Sequence, residues 1–253
     1  MPITSPNNET LKDVRKLAGR KWRDKLQRFV AEGEDLVAAA DAAGWTPVAR
    51  LVAAGSGLDG EEVAPHLLAE LSSLGSGTRV IGVYDQRYAR DLGRRCVALW
   101  GVKDPGNVGT VLRAALAFGA SSVALGPGSA DPFGPKAVRA SMGAVFAVPV
   151  RRVRTVDELP APRVALVARE GRELADLDAA PATLVVGAER EGVPDDVLAA
   201  CDAVAHIPIA GAADSLNAAM AATVALYEAN RGASRGHVAR EAGPQADTIA
   251  RRA

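Results

Sequence analysis

A single arginine in an otherwise uncharged segment is the first residue of this sequence whose type needs a chemical explanation. Residues 104–120 read DPGNVGTVLRAALAFGA, a turn followed by an apolar helix, and Arg113 is the only charged side chain between residues 108 and 123. The apolar pattern predicts a buried helix, in which an unpaired guanidinium costs free energy. We therefore expect Arg113 to contact an anionic group, either a carboxylate of the core or part of a substrate.

Three glycine-containing turns follow predicted strands, at the position where open parallel sheets bind ligands. They span residues 104–110 (DPGNVGT), 187–194 (GAEREGVP) and 207–217 (IPIAGAADSLN). None of them has the G-x-G-x-x-G spacing of a dinucleotide-binding loop, and the first lacks the lysine of a P-loop. A single turn of this kind is also typical of an ordinary strand-to-helix connection, so any function depends on the three turns in combination.

Alternating strands and helices must position these turns, and their pattern divides the chain. Residues 1–90 predict a small α/β domain, and residues 95–231 predict a larger domain whose strands are continuous apolar runs. Such runs are typical of a parallel sheet that helices cover on both faces. The remaining residues, 232–253, have little apolar content and predict a disordered tail.

The individual elements follow from hydrophobic periodicity and from turn residues. In the first domain we predict strands at residues 27–33, 48–55 and 79–85, and helices at residues 11–28, 34–44 and 61–71. In the second domain we predict strands at residues 96–102, 121–127, 163–169, 182–189 and 203–210. The helices of that domain are predicted at residues 108–120, 135–146, 194–201 and 215–231.

Basic residues are concentrated near the amino terminus, although the whole chain has equal numbers of basic and acidic residues. Residues 11–28 hold eight lysine or arginine side chains against two aspartates, a local net charge of +6. Such a cluster on one helix predicts contacts with nucleic-acid phosphates, and a solvated helix face is the alternative. The candidate phosphate-contacting residues are Lys12, Arg15, Lys16, Arg20 and Lys21.

Composition argues against several classes of protein. Cys96 and Cys201 are the only cysteines, too few for a disulfide framework or a zinc cluster. No apolar run approaches the length of a membrane span, and the first residues lack the apolar core of a signal peptide. His66, His206 and His237 have no partner at catalytic spacing. We therefore expect a cytoplasmic protein with no membrane partner and no metal.

The three turns together resemble the three sequence motifs of the SpoU (TrmH-like) RNA methyltransferases of the SPOUT superfamily. The resemblance covers residues 96–231, and residues 131–150 are similar to the family's segment between the first and second motifs. Residues 3–33 are similar to the opening of the substrate-binding domain that many rRNA-modifying members carry. The motif residues are Asn107 and Arg113 in the first turn, Gly187, Glu189 and Gly192 in the second, and Ile207, Pro208, Ser215, Leu216 and Asn217 in the third.

This resemblance implies an α/β fold whose C-terminal SPOUT domain combines a parallel sheet with a deep trefoil knot, preceded by a small α/β substrate-binding domain. It also implies a homodimer that transfers a methyl group from S-adenosylmethionine to a ribose 2′-hydroxyl in RNA, without a metal. Residues 3–33 favour ribosomal RNA, and a tRNA enzyme is the alternative. A catalytically silent RNA-binding protein of the same fold is a different class of function, against which the intact motif residues argue.

Match to the family also implies a role for each motif residue. The implied cofactor-binding residues are Ala168, Gly187, Gly192, Ile207 and Leu216. Other members often carry a small polar residue where this chain has Ala168. The implied catalytic residues are Asn107, Arg113, Glu189, Ser215 and Asn217.

Arg113 is expected to stabilise the negative charge that develops on the 2′-oxygen, or to bind the adjoining phosphate. Asn107 either caps the helix that begins at Val108 or hydrogen-bonds substrate and Arg113. Glu189 follows Gly187 closely and is expected to be constrained rather than solvated, orienting Arg113 or Asn107. Ser215 lies near the transferred methyl in the family, and it is also an ordinary candidate for the N-cap of the last helix.

Overall fold

The computed structural model describes residues 1–73, 77–177, 181–210 and 215–241, which form two sheets with helices packed against each. The first sheet has four strands in the order β1-β4-β2-β3, namely β1 (Arg28–Glu32), β2 (Ala49–Ala53), β3 (Glu61–Val63) and β4 (Val80–Asp85). β4 is antiparallel to both of its neighbours, whereas β2 and β3 are parallel. Its helices are α1 (Glu9–Leu17), α2 (Arg20–Leu26), α3 (Glu34–Ala42) and α4 (Pro65–Leu71).

The second sheet has seven strands, and every neighbouring pair in it is parallel. The strands are β5 (Cys96–Trp100), β6 (Ser122–Leu125), β7 (Val150–Arg152), β8 (Arg163–Val167), β9 (Arg172–Glu173), β10 (Thr183–Gly187) and β11 (Ala203–His206), in the order β7-β6-β5-β10-β8-β11-β9. The helices are α5 (Pro105–Ala117), α6 (Pro135–Ala140), α7 (Ala144–Ala147), α8 (Asp195–Ala199) and α9 (Ala218–Glu241). Single turns of 3-10 helix lie at Val156–Glu158 and Leu174–Asp176. The predicted parallel α/β fold is therefore confirmed.

Helices cover both faces of the seven-stranded sheet, as the continuous apolar strands predicted. Alternate residues of β5 point to opposite faces, because side chains of a strand have a period of two. Val97 and Leu99 pack in one core with residues of α5 and α9, whereas Ala98 and Trp100 pack in another with Val197 of α8. Both faces of this strand are thus buried.

The basic stretch forms two helices rather than the single helix that we predicted. α1 ends at Leu17, and α2 begins after Gly19, whose extended backbone (φ −89°, ψ 132°) interrupts the helix. α2 ends at Gln27 in the left-handed conformation (φ 52°), and Arg28 belongs to β1. The cations of residues 11–28 are consequently divided among three elements.

Proline and glycine divide two other predicted helices. In residues 61–71 the first three form β3, because the residue before a proline disfavours helical backbone and Pro65 suits the first position of α4. Residues 135–146 contain α6 and the start of α7, separated by Met142 and Gly143 with φ of 48° and 89°. Neither break interrupts the spacing of the apolar residues, so the hydrophobic pattern alone did not predict either of them.

The last helix begins three residues later than predicted and continues to Glu241. It therefore includes residues 232–241, where we expected a disordered tail. Extending an existing helix avoids the cost of nucleation, and alanine and arginine in this stretch favour helix. Residues 242–253, the rest of the predicted tail, lie outside the described residues.

A shared aromatic core joins the two sheets. Phe29, Trp45 and Tyr84 come from the first sheet and its connections, and Phe133 and Phe146 come from segments after β6. The rings of Phe29 and Phe133 lie 4.7 Å apart between centroids, and the Trp45 indole N–H donates to the Phe146 carbonyl at 2.9 Å. Since aromatic pairs add stabilisation beyond their buried area, these contacts hold the two parts of the chain together.

A buried ion pair fixes α2 on the second domain. Arg23 Nε donates to Asp131 Oδ2 at 2.9 Å, and both side chains are 6% exposed. Arg23 Nη1 also donates to the carbonyls of Leu17 and Ala18 at 2.9 and 2.8 Å, and the backbone N–H of Phe133 donates to the Asp131 carboxylate at 3.0 Å. Arg23 is thus a structural residue, although the sequence presented it as part of the basic stretch.

We predict that Asp131→Ala lowers the free energy of unfolding by about 3–5 kcal/mol, because it leaves the buried Arg23 guanidinium without its counter-charge. Urea denaturation followed by circular dichroism measures the loss. Asp24→Ala is the control, because Asp24 faces solvent and pairs with Arg20 at 3.5 Å, an exposed pair that contributes about 1 kcal/mol or less. Equal losses in the two variants would contradict a structural role for the buried pair.

Candidate functional site

The three predicted turns leave the sheet at neighbouring places. β5 and β10 are adjacent and parallel, with Trp100 opposite Gly187 in the register, so the turns that follow them leave the same edge. The third turn ends where α9 begins, and α9 packs beside α5. Residues that are far apart in sequence therefore reach one edge of the sheet.

Side-chain hydrogen bonds connect all three turns through Asn107. The Asn107 amide N–H donates to Glu189 Oε1, and the Asn217 amide N–H donates to Asn107 Oδ1 at 3.3 Å. Asn217 Oδ1 in turn accepts the backbone N–H groups of Ala219 and Met220 at 3.0 and 3.3 Å. Both halves of the Asn107 amide are thus engaged, which fixes its orientation and that of its partners.

Neither Asn107 nor Ser215 is a helix N-cap, which was one of the two possibilities for each residue. α5 begins at Pro105, and Asp104 is its N-cap, accepting the Gly106 N–H at 2.7 Å; Asn107 lies within the helix. The N-cap of α9 is Asn217 rather than Ser215, which lies two residues before it. The hydrogen bonds from Lys136 and then from the Gly106 N–H lower the pKa of Asp104, so this cap stays ionised.

A cavity of about 510 Å³ lies beside the second and third turns. Its lining includes all five predicted cofactor-binding residues, Ala168, Gly187, Gly192, Ile207 and Leu216. Ser215 and Glu189 also line it. The structure adds residues that we did not predict, among them the apolar Leu166, Val186 and Ile209 and the charged Arg169, Glu170, Arg190 and Asp195. These lie in or beside the same strands and turns, and their types carry no separate motif signal.

Gly187 permits a close backbone approach at the mouth of this cavity. A Cβ atom at this position would lie 2.1 to 2.3 Å from the backbone of Gly192 and Val193. Ala188 and Gly192 exchange backbone hydrogen bonds of 3.1 and 2.9 Å, which close the turn, and Gly192 has the left-handed φ of 69°. The glycines of the second motif therefore serve the shape of the turn.

The buried environment predicted for Arg113 is wrong, because its side chain is exposed. α5 buries Val108, Val111 and Leu112, and the helical period turns Arg113 to the opposite surface. Within the described part of the chain, Arg113 has no hydrogen bond or ion pair. Glu189 is also exposed rather than constrained away from solvent, but its contact with Asn107 agrees with the predicted orienting role.

Large apolar side chains are exposed on the surfaces of α5 and α9. Leu116, Met220, Val224 and Tyr227 are between 42% and 62% exposed, which is unusual for side chains of this size. The last three recur at helical spacing on α9, and Leu116 lies one turn from Arg113 on α5. The Tyr227 ring makes an edge contact with Phe118 at 5.9 Å, which joins the two helices at this surface.

The predicted phosphate-contacting residues are mostly paired with nearby acids. Lys12 contacts Glu9, Lys16 contacts Asp13, Arg20 contacts Asp24, and Arg15 contacts Glu70, at 2.8 to 3.7 Å. Lys21 is exposed and has no ion pair among the residues that the structure describes. All five side chains remain on the surface, where such pairs exchange readily with other ligands.

The described part of the chain gives no support for a metal site, a membrane span or a reactive cysteine at Cys96. There, no group of three or more histidine, cysteine or acidic residues could hold a metal ion. No described helix is both long and apolar enough to cross a membrane. Burial raises the pKa of the Cys96 thiol to about 11, so Cys96 stays protonated at neutral pH.

Comparison with known proteins finds two family models and several relatives that match this chain. Residues 94–227 match the model of the SpoU rRNA Methylase family, and residues 8–90 match that of the MRM3-like substrate binding domain. The chain is 31% identical over 243 residues to the 23S rRNA (guanosine(2553)-2′-O)-methyltransferase RlmP of Bacillus subtilis, covering 89% of this chain and 97% of that protein. It spans 49% of the length of another relative, the ribosomal RNA small subunit methyltransferase G 2 of Syntrophobacter fumaroxidans, at 34% identity over 251 residues and 92% of this chain.

Two solved structures are similar over almost the whole chain. An AdoMet-bound rRNA methyltransferase from Sinorhizobium meliloti superposes with a TM-score of 0.81 at 34% identity, over 91% of this chain and 97% of that one. The SpoU methyltransferase AviRb from Streptomyces viridochromogenes, in complex with AdoMet, superposes with a TM-score of 0.79 at 30% identity, over 89% of this chain and 98% of that one. The two-sheet arrangement described above is therefore shared with them.

We predict that Gly187→Ala lowers the free energy of unfolding by about 1–3 kcal/mol, because the added methyl group must displace backbone atoms of the turn. Gly192→Asn is the control, since the structure leaves open space around Gly192 and asparagine tolerates its left-handed backbone. Chemical denaturation of both variants measures the difference. A reduction as large in Gly192→Asn would show that the turn is generally fragile and that Gly187 has no special steric role.

Proposed function

Because the chain belongs to the SpoU rRNA methylase family, we propose that it is an S-adenosylmethionine-dependent methyltransferase that modifies a ribose 2′-hydroxyl of ribosomal RNA. The observation that carries this proposal is the hydrogen-bond chain from Glu189 through Asn107 to Asn217, formed beside a cavity that Glu189 itself lines. The relative from Bacillus subtilis, named for the same reaction on 23S rRNA, supports the choice of ribosomal RNA. Such a substrate also implies a cytoplasmic location.

The cavity suits S-adenosylmethionine in size and in chemistry. Its volume of about 510 Å³ lies within the range of small-molecule sites, about 300–1,000 Å³. Ile207 and Leu216 provide apolar walls, and the turn that begins at Gly187 also lines the cavity. When bound, this molecule supplies an electrophilic methyl group on a sulfonium. The two AdoMet-bound neighbours support this assignment.

The residues beside the cavity are proposed to align the ribose and to stabilise charge. The 2′-hydroxyl loses its proton as it attacks, so negative charge develops on its oxygen. Asn107 and Asn217 present amide groups in a fixed orientation, and Glu189 acts as a positioning residue because it accepts the Asn107 N–H. Ser215 lines the cavity and is proposed to lie close to the reacting atoms.

Arg113 is proposed to act across a homodimer interface. Arg113 is exposed one turn from Leu116 on α5, and α5 packs beside α9, which carries three more exposed apolar side chains. A second copy of the chain that covers this surface would bury the apolar side chains and bring Arg113 to the partner's site. The planar guanidinium would there bind a phosphate or the developing oxyanion.

The remaining assignments concern the two domains. We propose that residues 1–90 bind the RNA substrate and that Lys12, Arg15, Lys16, Arg20 and Lys21 contact its phosphates, since these cations are on the surface of α1 and α2. Residues 95–231 would form the methyltransferase domain. As part of the same proposal, the C-terminal segment of this domain would form the deep trefoil knot that the family resemblance implies.

A methyl-transfer assay tests the proposed reaction. We expect tritiated methyl groups to pass from S-adenosylmethionine to ribosomal RNA, and Asn107→Ala to lower the rate by about 10²-fold. Thr110→Ala is the control, because Thr110 is exposed on the same helix and donates only to the Gly106 carbonyl. Cofactor binding without transfer to any RNA would indicate a silent RNA-binding protein, and transfer confined to tRNA would overturn the proposed substrate.

We predict that Arg113→Ala leaves stability and cofactor affinity nearly unchanged and lowers the transfer rate by about 10²-fold or more, because an exposed side chain supports no core. Arg113→Lys should recover little, since a point charge lacks the planar donor geometry.

Mixing the two single variants tests whether the site is shared between chains. Equal amounts of Arg113→Ala and Asn217→Ala protein, after subunit exchange, should recover part of the activity, because one of the two sites in a mixed dimer is intact. No recovery after verified exchange would show that each chain builds its own site. A large drop in stability in Arg113→Ala would contradict the role proposed for this arginine.

A further inference from the structure

A second cavity, of about 380 Å³, lies between α2 and the turns that follow β5 and β6. It is separate from the proposed cofactor cavity, since the two share no lining residue among those that the structure describes. The buried Arg23–Asp131 pair forms part of its lining, so the ion pair that fixes the two domains also fixes this cleft. We refer to it as the interdomain cleft.

Three surface cations converge on the interdomain cleft from different parts of the chain. Arg20 comes from α2, Lys103 from the turn after β5, and Lys136 from the start of α6. Their side chains are 57%, 70% and 65% exposed, so all three can reach a ligand. Asp131, the acidic residue of the lining, is already neutralised by Arg23. The residues that line the cleft therefore carry an excess of positive charge, although each of the three surface cations has an acidic partner outside the lining.

Each of the three cations can exchange its present partner at little cost. Arg20 contacts Asp24 at 3.5 Å, Lys103 contacts Glu191 at 3.0 Å, and Lys136 contacts Asp104 at 2.8 Å. These acids are about half or more exposed, and such pairs contribute about 0–1 kcal/mol each. Releasing Lys136 would also leave the N-cap of α5 in place, because the Gly106 N–H still holds Asp104.

The position of the cleft connects it to the Asn107 site. Lys103 lies in the turn that leads to Asn107, and Pro105 at the start of α5 lines the cleft. Glu191, the partner of Lys103, is two residues from Glu189 in the second turn. A polyanion bound in the cleft would therefore pass close to the hydrogen-bond chain of the candidate site.

The size and lining of the cleft indicate which part of an RNA fits. Its volume of about 380 Å³ lies within the range of small-molecule sites, so it can hold only a short part of an RNA chain. No aromatic side chain is among the described residues that line it, so base stacking contributes nothing there. Cations without an aromatic platform recognise backbone phosphates and not base identity.

We propose that the interdomain cleft binds backbone phosphates of the single-stranded RNA segment next to the nucleotide that is methylated. This inference rests on the proposed function and identifies how the substrate passes from α2 to the Asn107 site. Arg20, Lys103 and Lys136 contact the phosphates, and Asp24, Glu191 and Asp104 are displaced as competing anions. The buried Arg23–Asp131 pair holds the two walls at a fixed separation.

Salt-dependent binding to a short unstructured RNA oligonucleotide tests this inference in the full-length protein. RNA affinity falls as salt rises, so the slope of log K against log salt is negative. In the double variant Lys103→Ala/Lys136→Ala this slope should become less steep, by about 0.7 for each phosphate that the protein no longer neutralises. Arg94→Ala/Arg154→Ala is the matched control, because it removes two exposed cations that lie outside both the cleft and residues 1–90, and Arg94 precedes β5 at the opposite edge of the sheet. Calorimetry with S-adenosylmethionine should give the same affinity for all these proteins.

A substitution that is expected to raise RNA affinity controls for a general disruption of the structure. Glu191→Gln removes the anion that competes for Lys103 and should raise RNA affinity severalfold, most strongly at low salt. The inference would be overturned if the salt dependence weakened no more in the double variant than in the control. It would also be overturned if Glu191→Gln left the RNA affinity unchanged or lowered it. Equal effects on binding to an RNA duplex would overturn the single-strand assignment.

The assay of methyl transfer keeps the two proposals apart. If the wild-type protein methylates ribosomal RNA and the cleft variants bind like the control, the cleft inference alone fails. If the wild-type protein methylates no RNA while the cleft variants still show a reduced salt dependence, the proposed function fails and the cleft remains an RNA-binding site.

Discussion

The Asn107 amide is the constraint on which the arrangement of the site depends. It donates to Glu189 of the second turn and accepts from Asn217 of the third, so a single side chain sets the relative positions of three segments. These bonds can form only because β5 and β10 are adjacent and parallel and because α9 packs beside α5. A planar amide with both halves engaged resists rotation, which is what an enzyme that works by alignment requires.

Close backbone contacts allow the segments to approach. A Cβ on Gly187 would collide with the backbone of the turn at Gly192, and a Cβ on Gly109 would lie 2.3 Å from the Ala137 carbonyl of α6. Glycine at both places permits dense packing without a void. These two glycines thus determine how closely the segments of the site approach each other.

The interface between the two sheets extends this rigidity to α2. The aromatic core around Phe29 and the buried Arg23–Asp131 pair hold α2 against the loop after β6. Without them, the cations of α2 would have no defined position relative to Asn107. Arg113 is arranged differently, since its side chain is exposed on α5, one turn from the exposed Leu116.

The sequence by itself determined the parallel α/β class, the apolar strands and the group of motif residues, because burial on both faces and turn chemistry leave local signals. Through the combined motifs it also grouped five residues that line one cavity in the structure. The environments of Arg113 and Arg23 were decided by the tertiary structure. Both are arginines in segments with apolar residues, and only the packing of α5 and α2 exposes one and buries the other. Local pattern records which residues are apolar but not which surface a neighbouring element covers. For the same reason, the interdomain cleft had no sequence signal, since its cations come from three segments that only the folded chain brings together.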